Sequence, residues 1–134
     1  MNNEILFVDD DTFSIEVYSY LLTRKGYHVS EYSDFDKALE YVQALQKSPV
    51  YSFVDMKPLS LLEIGRSLSE EQKRILTLPE KIFECFKSKS WERGFYFITG
   101  GTSSHDRQVL NRTGANCLGK PSLFNFISES LPSI

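Results

Sequence analysis

Short segments suited to β-strands alternate along the chain with longer segments that have helical periodicity. Residues rich in β-branched and aromatic side chains predict buried strands at 5–8, 50–54 and 95–98, and weaker strand signals lie at 27–32 and 115–118. Apolar residues recur at the spacing of one helix face at 12–25, 35–45, 106–113 and 122–131. This repeated alternation predicts an α/β fold with a parallel sheet joined by right-handed crossovers.

Polar residues and a glycine mark the expected ends of two of these helices. Asp11 precedes the helix at 12–25, and Ser33 or Asp34 precedes the next one. Side-chain oxygens at such positions accept hydrogen bonds from the free N–H groups of the first turn. Gly26 predicts the end of the first helix, because glycine readily adopts the left-handed conformation that closes helices.

Composition and charge describe an ordinary water-soluble chain. Its 134 residues predict one domain, and 41% hydrophobic and 25% charged residues are typical of globular proteins. The net charge of −3 argues against binding nucleic acid or an anionic membrane through bulk electrostatics. The sequence has no apolar run of bilayer length, and its first residues lack the features of a signal peptide. We therefore expect a cytoplasmic protein in which Cys85 and Cys117 are reduced thiols.

Three consecutive carboxylates follow the first predicted strand. Capping of the next helix explains Asp11, but it does not explain Asp9 and Asp10 as well. Carboxylates repel one another when they are packed together, and hard oxygen ligands are what Mg²⁺ prefers. The pattern therefore favours a magnesium site at the end of this strand.

Chemically useful side chains also follow the other strands. In open parallel sheets, binding and chemistry take place at the carboxyl ends of the strands. These ends carry Asp9 and Asp10, Asp55, Thr99 and Lys120. A carboxylate can serve as the nucleophile that forms an aspartyl phosphate, and a hydroxyl and an ammonium can hold the phosphoryl oxygens. We expect these five side chains to meet around one phosphoryl-binding site.

The chain resembles the receiver domains of two-component response regulators. The resemblance rests on I-L-F-V-D-D-D at the first strand, Y-S-F-V-D-M-K-P at the third, Y-F-I-T-G-G at the fourth and G-A-N-C-L-G-K-P at the fifth. It implies one receiver domain over residues 1–134, with a doubly wound sheet of five parallel strands in the order 2-1-3-4-5 and helices on both faces. It also implies a signalling phosphoacceptor rather than an enzyme.

The resemblance further assigns roles to individual residues. Asp55 would be phosphorylated, and Asp9, Asp10 and the backbone carbonyl of Lys57 would bind Mg²⁺ together with it. The phosphoryl group would contact Thr99 and pair with Lys120, whose bond to Pro121 is similar to one that is cis in the family. The implied partners are a sensor histidine kinase or phosphotransfer protein upstream, and an effector protein or output domain downstream.

Three departures from the family pattern stand out. Thr99 follows Asp55 by 44 positions, which is longer than usual by about one helix, so we expect a helical insertion at about residues 59–80. Helical stretches are predicted at 61–68 and 70–87, the second interrupted by Pro79. Lys57 and an early proline follow the acceptor position. Cys117 occupies the position of an aromatic residue whose rotation reports threonine movement, and it is expected to be a small core residue.

Two other functions remain open at this stage. A degenerate receiver would keep the fold as a protein-interaction module without phosphorylation. A haloacid-dehalogenase-like phosphatase fits the sequence less well than a receiver, because the D-x-D-x-T motif of that family would place a threonine where Phe13 stands. His105 and Asp106 are expected to be solvated at a helix start rather than catalytic. The sequence does not decide whether the chain forms a homodimer.

Overall fold

Five parallel strands form one sheet in the computed structural model of the protein, which describes residues 2–56, 67–101 and 104–134. The strands are β1 (Glu4–Val8), β2 (His28–Tyr32), β3 (Tyr51–Asp55), β4 (Phe95–Thr99) and β5 (Asn116–Gly119). Their order in the sheet is β2-β1-β3-β4-β5. The predicted topology is therefore confirmed, including the position of β1 between β2 and β3.

Five α-helices connect or follow these strands in the described part of the chain. They are α1 (Thr12–Arg24), α2 (Phe35–Ala44), α3 (Glu70–Ser88), α4 (Ser104–Thr113) and α5 (Lys120–Asn125). A short 3₁₀ turn at Glu92–Gly94 leads into β4, and α5 continues as a π-helical turn at Phe126–Ser130. None of the helices among the described residues is both long and apolar enough to cross a membrane.

Side chains that alternate along the strands divide the core into two layers. One layer lies under α1 and α5 and includes Ile5, Phe7, Ile15, Phe53, Ile98 and Leu123. The other lies under α2, α3 and α4 and includes Leu6, Val8, Val42, Val54, Phe83, Phe95, Phe97 and Val109. Because successive side chains of a strand point to opposite faces and both faces are covered, the three central strands β1, β3 and β4 are largely apolar along their length. Helices cover both faces, as predicted.

The predicted helix ends are confirmed at α1 and α2. The Asp11 carboxylate accepts hydrogen bonds from the N–H groups of Phe13, at 3.0 Å, and Ser14. The Asp34 carboxylate accepts from the N–H of Lys37 at 3.1 Å. Gly26, which follows the C-cap residue Lys25, has a φ of +98°, in the left-handed region that favours glycine. Local chemistry therefore sets both helix starts and the first helix end.

The expected interruption at Pro79 is wrong. α3 runs through this proline without a break, although proline lacks the N–H that would continue the helical ladder. Leu78, Pro79, Ile82 and Phe83 are all buried against the sheet and its neighbours. In most proteins such tertiary packing, rather than intrinsic propensity, stabilises a helix, and it outweighs the lost hydrogen bond here.

The insertion at about residues 59–80 falls only partly on the described residues. Residues 57–66 lie outside them, together with Lys57 and most of the helical stretch expected at 61–68. The two described residues of that stretch, Ser67 and Leu68, are not helical. Residues 70–80 form the first half of α3, which Ser69 and Gln72 start with reciprocal hydrogen bonds. An additional helix therefore stays a prediction.

Candidate functional site

Asp9 and Asp55 stand side by side at the carboxyl edge of the sheet. Phe7 of β1 and Phe53 of β3 are partners in register, and both belong to the layer under α1 and α5. Each is followed two positions later by an aspartate, so the alternation of the strands places both carboxylates on that same face. Asp9 is fully buried and Asp55 is 3% exposed.

Asp10 joins these two residues to form a three-carboxylate cluster. One carboxylate oxygen from each of Asp9, Asp10 and Asp55 lies within 4.8 Å of the others. Asp9 Oδ1 accepts a hydrogen bond from the N–H of Asp11 at 2.9 Å. Asp55 Oδ2 is buried and has no hydrogen-bond partner among the described residues. The cluster thus presents hard oxygen donors, one of them buried and unsatisfied, close enough together to hold a divalent cation.

The ammonium of Lys120 approaches the cluster from the first residue of α5. Its Nζ atom lies 3.0 Å from Asp9 Oδ2 and 4.0 Å from Asp55 Oδ1. The backbone at this position is held by Tyr18 of α1, whose hydroxyl donates to the Lys120 carbonyl at 3.0 Å. The Tyr18 ring stacks on Phe7 at 5.9 Å between centroids.

The bond between Lys120 and Pro121 is trans, so the expected cis bond is wrong.

The electrostatics of the cluster follow from burial and crowding. Burial raises the pKa of Asp55 to about 8, with further contributions from the negative charges of Asp9 and Asp10. Burial likewise raises the pKa of Asp9. Burial opposes the charge of Lys120, yet the carboxylates of Asp55 and Asp9 raise its pKa overall. Three carboxylates facing one ammonium leave an excess of negative charge that a bound cation would neutralise.

Thr99 lies on the other side of the sheet edge. Phe95 and Phe97 of β4 belong to the layer under α2, α3 and α4, and Thr99 continues their alternation. Its Oγ1 atom lies 2.9 Å from Asp106 Oδ2 and 2.5 Å from the carbonyl oxygen of Gly101. It also accepts a hydrogen bond from the Gly101 N–H at 3.2 Å. The hydroxyl is therefore bound within its own strand–helix connection.

The expectation that Asp106 is solvated is wrong, because this residue is fully buried. α4 begins at Ser104, two residues earlier than predicted, which places Asp106 inside the first turn of the helix. Its carboxylate meets Thr99 there. The sequence carries no local signal for this contact, because it depends on how α4 packs on β4. The side chain of His105 lies outside the described part.

Cys117 packs where a larger side chain was expected from the resemblance. It is half-buried on β5, in register with Phe97, and it contacts the layer under α2, α3 and α4. Burial raises the pKa of its thiol, and the nearby charge of Asp106 raises it further. The prediction of a small core residue fits this position.

Known proteins match this chain in structure but not in sequence. No protein-family model matches it, and no curated protein does. A response regulator receiver domain protein from Methanospirillum hungatei is 18% identical with a TM-score of 0.66, covering 97% of this chain and 94% of its own. The chain has the receiver fold.

Other solved receivers agree with this assignment. A response regulator receiver protein from Burkholderia phymatum is 18% identical with a TM-score of 0.65, over 96% of this chain and 92% of its own. A response regulator from Burkholderia pseudomallei, solved with a phosphorylated aspartic acid, a calcium ion and citrate, is 21% identical with a TM-score of 0.64, over 96% and 71%. At these identities the likeness to receivers establishes the fold, and the function has to be argued from the site.

Proposed function

We propose that this receiver accepts a phosphoryl group on Asp55 and thereby changes its affinity for a downstream effector protein or output domain. The donor would be a phosphohistidine of a sensor histidine kinase or phosphotransfer protein, in the cytoplasm. The observation that carries the proposal is the buried Asp55 carboxylate, which lies among Asp9 and Asp10 and 4.0 Å from the Lys120 ammonium.

The proposed reaction is a direct transfer between two side chains. A carboxylate oxygen of Asp55 attacks the phosphorus atom, and the new O–P bond forms as the N–P bond of the phosphohistidine breaks. The imidazole nitrogen keeps the electron pair of the broken bond, and a ring protonated at its other nitrogen leaves as neutral imidazole. Such a transfer depends mainly on positioning and on the stabilisation of charge.

The residues present fit a Mg²⁺ ion. Asp9, Asp10 and Asp55 supply hard oxygen donors, and the unsatisfied Asp55 Oδ2 atom supports the fit. We propose that these residues hold the ion, together with the backbone carbonyl of Lys57, which lies outside the described residues. When bound, Mg²⁺ would neutralise the negative charge that accumulates between the carboxylates and the phosphoryl oxygens.

Two further side chains would hold the transferred group. Lys120 is an ammonium on a flexible stem, so it can exchange its contact with Asp9 for one with a phosphoryl oxygen. Thr99 would donate its hydroxyl proton to another phosphoryl oxygen. Both residues thus stabilise charge, and neither forms a covalent bond to the phosphoryl group.

Phosphorylation by a small donor tests the proposal. The protein with Mg²⁺ and acetyl phosphate should gain one phosphoryl mass, and Asp55→Asn should gain none. Asp36→Asn is a matched control, because Asp36 is an exposed aspartate of α2 that pairs with Arg74 and is not a member of the cluster. Absence of any adduct on the parent protein would contradict the proposal. Repeated turnover of a generic phosphomonoester would instead indicate a phosphatase.

A phosphorylation-independent interaction module is the second candidate. Two observations favour it: Lys120 already pairs with Asp9, and the Thr99 hydroxyl is already bound to Asp106. In that case both side chains would stabilise the fold rather than hold a phosphoryl group. Measurement of Mg²⁺ binding by titration calorimetry separates the two candidates, since a phosphoacceptor requires the ion and a pure interaction module does not.

A further inference from the structure

The Thr99 hydroxyl cannot bind a phosphoryl oxygen while it keeps its present partners. A phosphoryl oxygen only accepts hydrogen bonds, so Thr99 would have to donate its one proton to it. That proton now points to internal acceptors, because Oγ1 lies 2.9 Å from Asp106 Oδ2 and 2.5 Å from the Gly101 carbonyl. Capture of a phosphoryl group would therefore replace an internal hydrogen bond.

The bond to Asp106 is the stronger of these internal competitors. Hydrogen bonds to an ionised carboxylate are roughly twice as strong as those between neutral groups. Asp106 is fully buried and Thr99 is 6% exposed, so water does not readily replace the threonine when it leaves.

The side of the sheet on which Thr99 lies is consistent with Asp106 competing with a phosphoryl group for its hydroxyl. Asp9 and Asp55 lie on the face covered by α1 and α5, whereas Thr99 continues the alternation that places Phe97 under α3 and α4. Asp106 thus binds the hydroxyl on the side of the sheet opposite to the carboxylate cluster. A movement of Thr99 would directly alter the contacts of the first turn of α4, because Thr99 and Asp106 are in contact.

We infer that Asp106 is a positioning residue that holds the Thr99 hydroxyl on the α4 side, so that phosphoryl capture at Asp55 has to break the Thr99–Asp106 hydrogen bond. The inference rests on the proposed phosphoacceptor function. It adds a site of regulation, since Asp106 would lower the affinity for the phosphoryl group and would couple its binding to the first turn of α4.

Beryllofluoride with Mg²⁺, which mimics an aspartyl phosphate, provides the test. Asp106→Asn keeps the shape of the side chain but replaces a charge-assisted hydrogen bond with a neutral one. We expect it to tighten beryllofluoride binding by about fivefold, the factor that corresponds to a hydrogen bond weakened by about 1 kcal/mol. Asp106→Ser gives a second variant with the same expected direction if the first does not fold. Asp36→Asn should leave the affinity unchanged.

A double-mutant cycle distinguishes this competition from a purely structural role. In a Thr99→Val background the hydroxyl is gone, so Asp106→Asn should change the beryllofluoride affinity by less than about twofold. Amide NMR shifts in the first turn of α4 should respond to beryllofluoride in the parent protein and respond less in Thr99→Val. An equal effect of Asp106→Asn in both backgrounds, or unchanged or weaker binding in the single variant, would overturn the inference.

Failure of the proposed function gives a different result from failure of the inference. If the parent protein binds no beryllofluoride and forms no acetyl phosphate adduct, the phosphoacceptor function is wrong, and the competition falls with it. If the parent protein binds beryllofluoride and the cycle shows no coupling, only the role of Asp106 is wrong. A cycle of unfolding free energies for the same two positions reports whether the hydrogen bond itself forms.

Discussion

On the β1–β3 side of the carboxyl edge, Asp9 and Asp55 face α5 and meet the ammonium of Lys120, whereas on the β4 side Thr99 faces α4 and meets Asp106. The first half has more carboxylates than cations, so a ligand that brings positive charge would stabilise it. In the second half, Thr99 and Asp106 already form a hydrogen bond with each other, so a ligand that binds Thr99 has to displace that bond. The two halves of one edge therefore contribute to binding in opposite ways.

The largest expected effect on the phosphorylation rate comes from removing the cation of the first half. Lys120→Met should lower the rate of phosphorylation by acetyl phosphate by about 100-fold, the usual loss when one charge-stabilising donor is removed from such a site. Loss of the ammonium also leaves the carboxylates facing one another without compensation. The rate should be measured by mass spectrometry at a fixed Mg²⁺ concentration.

Lys87→Met is the matched control for this change, because Lys87 is an exposed lysine in the last turn of α3. It should leave the rate unchanged. A Lys120→Met protein that is folded and phosphorylated at the parent rate would mean that the ammonium near Asp55 does not stabilise the transferred group.

The fold and most of the first half follow from local sequence patterns. Apolar runs locate the strands, and capping by Asp11 and Asp34 fixes helix starts, because these signals act within a few residues. The carboxylates at strand ends then converge because parallel strands share one carboxyl edge. Asp9 and Asp55 could be predicted as neighbours on that ground.

The second half required the structure because its contacts depend on packing between distant elements. Asp106 is buried only because α4 begins at Ser104 and lies against β4, and no local pattern distinguishes it from a solvated first-turn aspartate. The continuity of α3 through Pro79 likewise depends on burial against the sheet. Tyr18 lies within the helix predicted at 12–25, but no local pattern predicts that its hydroxyl reaches the carbonyl of Lys120, 102 positions away.

A second prediction concerns the excess charge of the first half. The pKa of Asp55 is raised from 3.8 to about 8, so the folded protein binds a proton that the unfolded chain releases at lower pH. Stability therefore falls as the pH rises from about 4 to about 8. Asp55→Asn removes this loss, and at pH 8 without Mg²⁺ it should raise the free energy of unfolding by up to about 5 kcal/mol.

The gain from Asp55→Asn should shrink towards pH 4 and also when Mg²⁺ is added, because the ion stabilises the parent protein only. Asp36→Asn should have the opposite sign, since the Arg74 guanidinium lowers the pKa of Asp36. Urea unfolding at several pH values measures all of these effects. A pH-independent difference between Asp55→Asn and the parent would show that Asp55 is not held in an excess of negative charge.

The smallest expected effect concerns the hydrogen bond by which Tyr18 of α1 supports the backbone of Lys120. Tyr18→Phe removes the hydrogen bond to the Lys120 carbonyl but keeps the ring that stacks on Phe7. We expect a loss of about 1 kcal/mol in the free energy of unfolding, the usual contribution of one such bond. The phosphorylation rate should fall by less than that of Lys120→Met, because the ammonium remains and only its backbone support is lost.

Tyr20→Phe is the control on the same helix, since the hydroxyl of Tyr20 is exposed and meets only Arg24 among the described residues. If Tyr18→Phe lowers stability without lowering the rate, the bond supports the fold but does not position Lys120. If it lowers the rate and Asp106→Asn in the second half does not alter binding, then positioning acts through α1 and α5 alone. The two variants together therefore decide which face of the sheet controls the site.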